Sequence, residues 1–175
     1  MDNRILVAYA TWTGSTQGVA EAIGKVLSEG GAAVDVRPVK EVKDLSAYRA
    51  VVLGAPVQAF HVHGDALKFV KRHTQALARV PVAYFVLCLT MKEDTEANRA
   101  AASRYIEALR KQAPQVTPVA TTAFAGAIIV EGPQVERLGF LREMMVKSMK
   151  ANAGDFRNWD AIRAWAAGLK PALLG

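Results

Sequence analysis

The stretch AYATWTGSTQGVAEAIG, Ala8 to Gly24, decides how the rest of the chain is read. Within a few residues it passes from an apolar run to hydroxyls and glycines, and then to a helical pattern. Ile5 to Ala10 reads as a strand, and Val19, Ile23, Val26 and Leu27 recur at the spacing of one helix face. Between them, Thr11-Trp12-Thr13-Gly14-Ser15-Thr16 ends the strand and opens the helix. Backbone N–H groups at a helix start are unpaired and carry the positive end of the macrodipole, so they attract an anion. Hydroxyls add neutral donors, and Gly14 permits close approach of the backbone. The loop has neither the Gly-Lys-Ser/Thr of a nucleoside-triphosphate site nor the G-x-G-x-x-G of a dinucleotide site. A neutral, hydroxyl-rich cradle suits a single terminal phosphate monoester. The plainer alternative is a Ser/Thr turn that caps a helix and does nothing more.

Outward from this stretch, apolar runs alternate with helical periodicity. Gly30-Gly31 stops the first helix, and Ala33 to Val39 reads as a second strand. Ala50 to Leu53, ending in Gly54, is a third; Leu67, Val70, Thr74 and Leu77 mark one helix closed by Pro81; Val82 to Leu89 is a fourth strand. Ala102, Ile106 and Leu109 lie on a helix ending before Pro114, and Val116 to Phe124 is a fifth strand. Near-continuous apolar strands are those buried on both faces, which predicts a three-layer, doubly wound α/β domain with a five-stranded parallel sheet. The second strand-to-strand connection reads as short or irregular. No repeat or linker divides residues 1–175, so a single domain is expected. Ligands of such sheets bind beyond the carboxyl ends of the strands, here after Ala10, Gly54, Leu89 and Phe124.

Composition limits the function classes. Half the residues are hydrophobic (51%), yet no run reaches the length of a spanning helix, and the N-terminal MDNR lacks a signal-peptide pattern. The lone Cys88 excludes an internal disulfide and a thiolate cluster, which agrees with a reducing, cytoplasmic setting. A net charge of +6 favours anionic partners. Because the basic residues are scattered, without an aromatic-studded stripe, nucleic acid is not expected among them.

The phosphate-loop stretch resembles the signature of the flavodoxin family: Tyr9, Thr11, Gly14, Thr16 and Ala20 stand at its intervals, with Ile23 closing it. Ala8 departs from that pattern, which prefers a larger residue there. The resemblance narrows in GAPVQAFHVHGDALKFVKRH, Gly54 to His73, which is similar to the second flavin loop and following helix of the bacterial menaquinone-dependent protoporphyrinogen IX dehydrogenases. LGFLREMMVKSMKANAGD and NWDAIRAWA resemble that group's Met-rich basic helix and final Trp-bearing helix. The resemblance implies a flavodoxin-like fold with strand order 2-1-3-4-5, an extra C-terminal helical segment, and FMN as cofactor. It implies further that Thr11, Trp12, Thr13, Gly14, Ser15 and Thr16 hold the phosphate end. Pro56, Val57, Gln58, Ala59 and Phe60, with Leu89, Thr90 and Met91, would enclose the ring.

Aromatics are absent from Leu89-Thr90-Met91-Lys92, so Phe60 and Trp12 are the nearest ones available, and an open ring face is expected. Trp12 reads equally as a packing residue at the helix entry. His61 and His63 alternate on one loop with no Cys or carboxylate pattern beside them, so no metal is expected; they are candidate contacts for a substrate carboxylate. Residues 133–150 read as a helical insertion not needed to complete the flavin cradle. Val135, Leu138, Leu141, Met145 and Met149 form one apolar face, read as core. Phe140 and Met144 point elsewhere, flanked by Arg137 and Lys147, which fits a peripheral membrane contact or packing on the helix from Trp159 to Trp165.

The activity implied by the resemblance is removal of hydrogen from a porphyrinogen-like substrate with transfer to a quinone, in a cytoplasmic protein peripheral to the inner membrane face. An electron-carrier flavodoxin without its own substrate is the nearest rival. A phosphoacceptor receiver domain would need carboxylates where Tyr9-Ala10-Thr11 and Gly54-Ala55-Pro56 stand.

Overall fold

A computed structural model describes residues 4–175; Met1 to Asn3, most of the N-terminal MDNR, lie outside the described residues. Five strands form one parallel sheet: β1 (Arg4–Tyr9), β2 (Ala33–Pro38), β3 (Tyr48–Gln58), β5 (Val82–Leu87) and β6 (Ala120–Phe124). Their order is β2-β1-β3-β5-β6, and the two-residue strand β4 (His61–Val62) pairs only with the end of β3. Leaving out β4, this is the expected 2-1-3-4-5 order, reversing direction between β1 and β3.

Alternation along each strand divides the core in two. Leu6, Ala8, Val51, Leu53, Tyr84 and Val86 face α2 (Gly64–Arg72), α3 (Thr74–Leu77) and α4 (Glu96–Arg110). Ile5, Val7, Val52, Ala83 and Phe85 face α1 (Ser15–Ser28) and α7 (Trp159–Leu174). All six residues of β5 are buried, as a central strand covered by helices on both faces requires. Trp165 of α7 stands edge-on to Phe85 and Phe124, with ring centroids 6.1 and 5.8 Å away.

The third strand does not end at Gly54. Gly54 pairs with Phe85, and a Cβ there would lie 2.0 Å from the Phe85 ring, so the glycine makes room for a neighbour while the strand continues to Gln58. The helix expected across Leu67 to Leu77 is interrupted at His73. There the Thr74 hydroxyl donates to the Val70 and Lys71 carbonyls and takes them from the helical ladder. The fifth strand begins at Ala120 rather than Val116, because Pro118 supplies no N–H to a ladder. Likewise, the fourth stops at Leu87, and Leu89–Lys92 is a 3₁₀ turn.

The larger correction lies between β6 and α7. The single apolar helix face expected from Val135 to Met149 does not exist. Gly139, at φ 80°, separates α5 (Pro133–Glu136) from α6 (Phe140–Ser148) and resets the helical phase. Leu141 and Met145, read as core, are 80% and 49% exposed; Val146, unselected, is buried. A short antiparallel pair, β7 (Ala127–Ile128) with β8 (Gly154–Asp155), closes this lobe, and Val130, Val135 and Val146 form its own small core. Phe140 (75% exposed) and Met144 (55%) are off the core, as expected, and do not pack on α7.

Candidate functional site

A cavity of about 320 Å³ opens at the carboxyl ends of β1, β3, β5 and β6, at the point where the strand order reverses. Thr11, Trp12, Thr13, Ser15 and Thr16 line one end of it. Gly14 does not line it but shapes the loop: at φ 99° it adopts a left-handed conformation, and its N–H donates to the Thr11 Oγ1 at 3.0 Å. Thr16 is fully buried, and its Oγ1 has no hydrogen-bond partner. Trp12 Nε1 is likewise buried and unpartnered. An orphaned hydroxyl costs free energy unless a ligand satisfies it, and this one stands in the first turn of a helix whose N–H groups lack partners. With no cation in the loop and no acid in the first turn of α1, the residues fit a phosphate monoester.

The second wall is a hairpin. β3 and β4 join through Ala59 and Phe60, which sit at φ 47° and 63°. A two-residue turn with both φ values positive favours Asn-Gly, and holding Ala-Phe there costs about 1–2 kcal/mol per residue. Such strain persists where surrounding structure enforces it, and Phe60 is held at the cavity edge 83% exposed. Pro56, Val57, Gln58, Ala59 and Phe60 all line the cavity, but Pro56 to Gln58 do so as strand rather than loop. Leu89 and Thr90 line it from the 3₁₀ turn, whereas Met91 turns into the core beneath. Cys88 lines it as well; burial pushes its thiol pKa up, so it is a neutral wall residue.

Neither histidine points into this cavity. His61 Nδ1 lies 2.6 Å from the Ala59 carbonyl, and the ring borders a neighbouring groove. His63 caps α2: its Nδ1 accepts from the Asp65 N–H at 3.2 Å, and its ring packs 4.5 Å from Trp12. Burial above all lowers the His63 pKa, with Lys40, Arg142 and Lys68 acting the same way against Asp65. The 3.6 Å approach of His63 to the Asp65 carboxylate is therefore not an ion pair, since an Nδ1 that accepts carries no proton. Trp12 thus lines the cavity and packs at the helix entry. Among the described residues no three His, Cys, Asp or Glu side chains gather as a metal would need.

Sequence reasoning missed the third wall. Leu138, Arg142, Met145, Val146 and Met149 of the lobe line the cavity, with Ile128 and Ile129 below them and Tyr105 from α4. The lobe, read as dispensable for the cradle, is fastened to it. Ala127 N–H donates to Ser15 Oγ at 3.0 Å, Arg157 Nη1 to the Ser15 carbonyl at 3.1 Å, and Gln134 Nε2 to Gln17 Oε1 at 3.0 Å. Arg157 is oriented by two bonds to Asp155 and lies over Trp159. Lys92 Nζ stands 3.9 Å from the Phe156 ring, and Arg142 lies over Trp12 at 5.4 Å. The methionines at 145 and 149 were a visible signal, though their spacing reads as core.

Known proteins bear on this geometry. Residues 6–159 match the family model described as a flavodoxin domain. A curated protoporphyrinogen IX dehydrogenase [quinone] from Leishmania major is 26% identical over 94% of this chain and 73% of its own length. The Escherichia coli K12 protein of the same name is 28% identical over 51% of each chain, so that match spans about half its length. A cysteine-to-alanine variant of Pseudomonas aeruginosa flavodoxin shares the fold, with a TM-score of 0.55 at 16% identity over 98% of this chain and 99% of that one. FMN is the cofactor this family and the phosphate-fitted cavity imply. The chain belongs to the flavodoxin domain family.

Proposed function

We propose that the protein is an FMN-dependent oxidoreductase that withdraws hydrogen from a porphyrinogen-type substrate and passes the electrons to a quinone. The observation that carries this reading is one cavity with two characters. A polar end surrounds the unpartnered Thr16 hydroxyl, and an apolar chamber is walled by a lobe bearing Leu138, Met145 and Met149. Thr11, Thr13, Ser15 and Thr16, with the first N–H groups of α1, would hold the phosphate; Ser15 Oγ accepts from Ala127 and keeps its own proton to donate. Trp12, Pro56 to Phe60, Leu89 and Thr90 would border the ring, with Gly14 shaping the loop and Met91 supporting the turn from beneath. Bound FMN supplies the chemistry, taking up two electrons and releasing them singly or together. The apolar walls exclude water, and the neutral Cys88 offers no competing nucleophile.

The names of the relatives from Leishmania major and Escherichia coli support the substrate and acceptor classes. A quinone dissolved in lipid is reached by a protein at the membrane surface. No helix among the described residues is long and apolar enough to cross a membrane, but α6 exposes Phe140, Leu141, Met144 and Met145 beside the cavity. Glu143 pairs with Lys147 and Glu131 with Lys150, whereas Arg137 and Arg142 make no ion pair among the described residues and give this surface its cationic character.

Anaerobic mixing of FMN-loaded protein with protoporphyrinogen IX and a menaquinone analogue tests the proposal. Bleaching of the flavin spectrum by the porphyrinogen and its recovery with quinone are expected. A flavin reduced by dithionite but never by porphyrinogen would place the protein among the electron carriers.

A further inference from the structure

A second groove, of about 370 Å³, adjoins the cavity and shares Phe60 and Tyr105 with it as common walls. Val62, Leu67 and Ala108 make its remaining surface apolar, and His61 and Arg104 supply its polar edge. Arg104 donates from Nε to the Ala101 carbonyl and makes no ion pair among the described residues, so its terminal nitrogens remain available. Helical spacing puts Lys71 one turn beyond Leu67 on α2, so a further cation flanks the same side, and Lys111 caps the C-terminus of α4. The acids nearest the groove on these helices, Asp65 and Glu107, are engaged elsewhere, and Glu96 lies two turns before Arg104. Asp65 is 3.2 Å from Lys40, and Glu107 is 2.9 Å from Arg110.

We propose that this groove binds an aromatic or otherwise flat apolar molecule through its carboxylate, with Arg104 as anchor and Phe60, Leu67 and Tyr105 against its body. Charge complementarity and the shared walls favour a small anionic ligand brought alongside the cavity, in contrast to the lipid surface assigned to α6. If the proposed function holds, the groove takes one planar pyrrole ring of the hydrogen donor with its propionate; the groove's chemistry does not depend on that reading.

The test is a fluorescence titration of FMN-loaded protein with 1-pyrenebutyrate, and with uncharged 1-pyrenemethanol as control. Arg104→Glu should weaken pyrenebutyrate by about tenfold or more, as loss of a charge-assisted bond implies, and leave pyrenemethanol unchanged. Leu67→Ser should weaken both ligands. The flavin spectrum and thermal midpoint monitor folding. Failure of the parent to bind pyrenebutyrate, or equal affinity in Arg104→Glu, would overturn the groove. A parallel anaerobic reaction with protoporphyrinogen IX separates the two proposals. Binding of pyrenebutyrate, with no flavin reduction by porphyrinogen, would remove the porphyrinogen reading and keep the groove. Porphyrinogen turnover indifferent to Arg104→Glu would remove the groove as donor site and keep the function.

Discussion

The loop after β1 and the lobe between β6 and α7 border the same cavity and are built by different means. The loop is six consecutive residues whose geometry is local: a left-handed glycine, a Thr11 hydroxyl accepting from it, and a helix start. The lobe is a long excursion held by three valines and by contacts to Ser15 of the loop and to Gln17 just after it on α1. The loop leans on the large core shared by α1 and the sheet, whereas the lobe leans on the loop. Perturbing the loop should therefore damage both, and perturbing the lobe should spare the sheet.

Gly14→Val is the most disruptive test. A β-branched residue at φ 99° bears the left-handed penalty of about 1–2 kcal/mol, and its Cβ would stand 3.3 Å from Gln134 Cγ. FMN binding should be lost and the lobe loosened together; a variant that lost FMN with hydrogen exchange in α5 and α6 unchanged would show that the two regions are independent.

Thr16→Val should separate phosphate from ring. FMN affinity is expected to fall by about 1.5–3 kcal/mol, the worth of a bond to a charged group, with riboflavin affinity unaffected. Because the substitution removes an unpartnered hydroxyl, the apoprotein should melt at the same temperature or higher. Equal loss for both flavins would break the assignment of the loop to phosphate.

Val135→Ala acts on the lobe alone. Removing two methyl-sized groups from its small core costs about 1.5–3 kcal/mol including the cavity left behind. Faster amide exchange in α5 and α6, and a higher flavin dissociation rate, should accompany unchanged exchange in β1, β3 and β5. Slowed dissociation would contradict a covering role.

A smaller, pH-dependent effect is expected where α2 meets Trp12. Burial holds the His63 pKa below its ordinary value of 6.5, so the unfolded chain binds more protons as pH falls. The His63 contribution to stability is thus complete above the ordinary value and declines below it, as the cap to Asp65 is lost. His73, lowered chiefly by burial and also by Arg72, titrates in the same sense. His63→Asn keeps a cap without titrating, and denaturant melts between pH 7 and 5 should show a flatter profile for it. An identical profile would assign the dependence to His73.

The smallest effect on the fold should come from Phe140→Ser with Met144→Ser, both exposed. Stability and FMN affinity should hold, and binding to anionic vesicles and turnover with long-chain quinones should fall, more visibly at low salt. Unchanged vesicle binding would leave the lobe with its cavity role alone.

The sequence by itself determined what depends on nearest neighbours along the chain. Strand and helix order, the parallel sheet and the hydroxyl loop are written in periodicity and in short contiguous motifs. Only the tertiary structure decided the rest. Gly54 looked like a terminus because nothing in the sequence places the Phe85 ring over it. The histidines read as two like contacts on one loop, because chain spacing does not show that one ring engages the Ala59 carbonyl at the edge of the neighbouring groove while the other caps a helix. Residues 133–150 offered a clean apolar periodicity, and one glycine at positive φ broke it by turning Leu141 and Met145 outward and Val146 inward. The lobe's place over the cavity rests on Ala127, Gln134 and Arg157 meeting Ser15 and Gln17, contacts between residues more than a hundred positions apart, and no local pattern encodes which distant partners the folded chain will bring together.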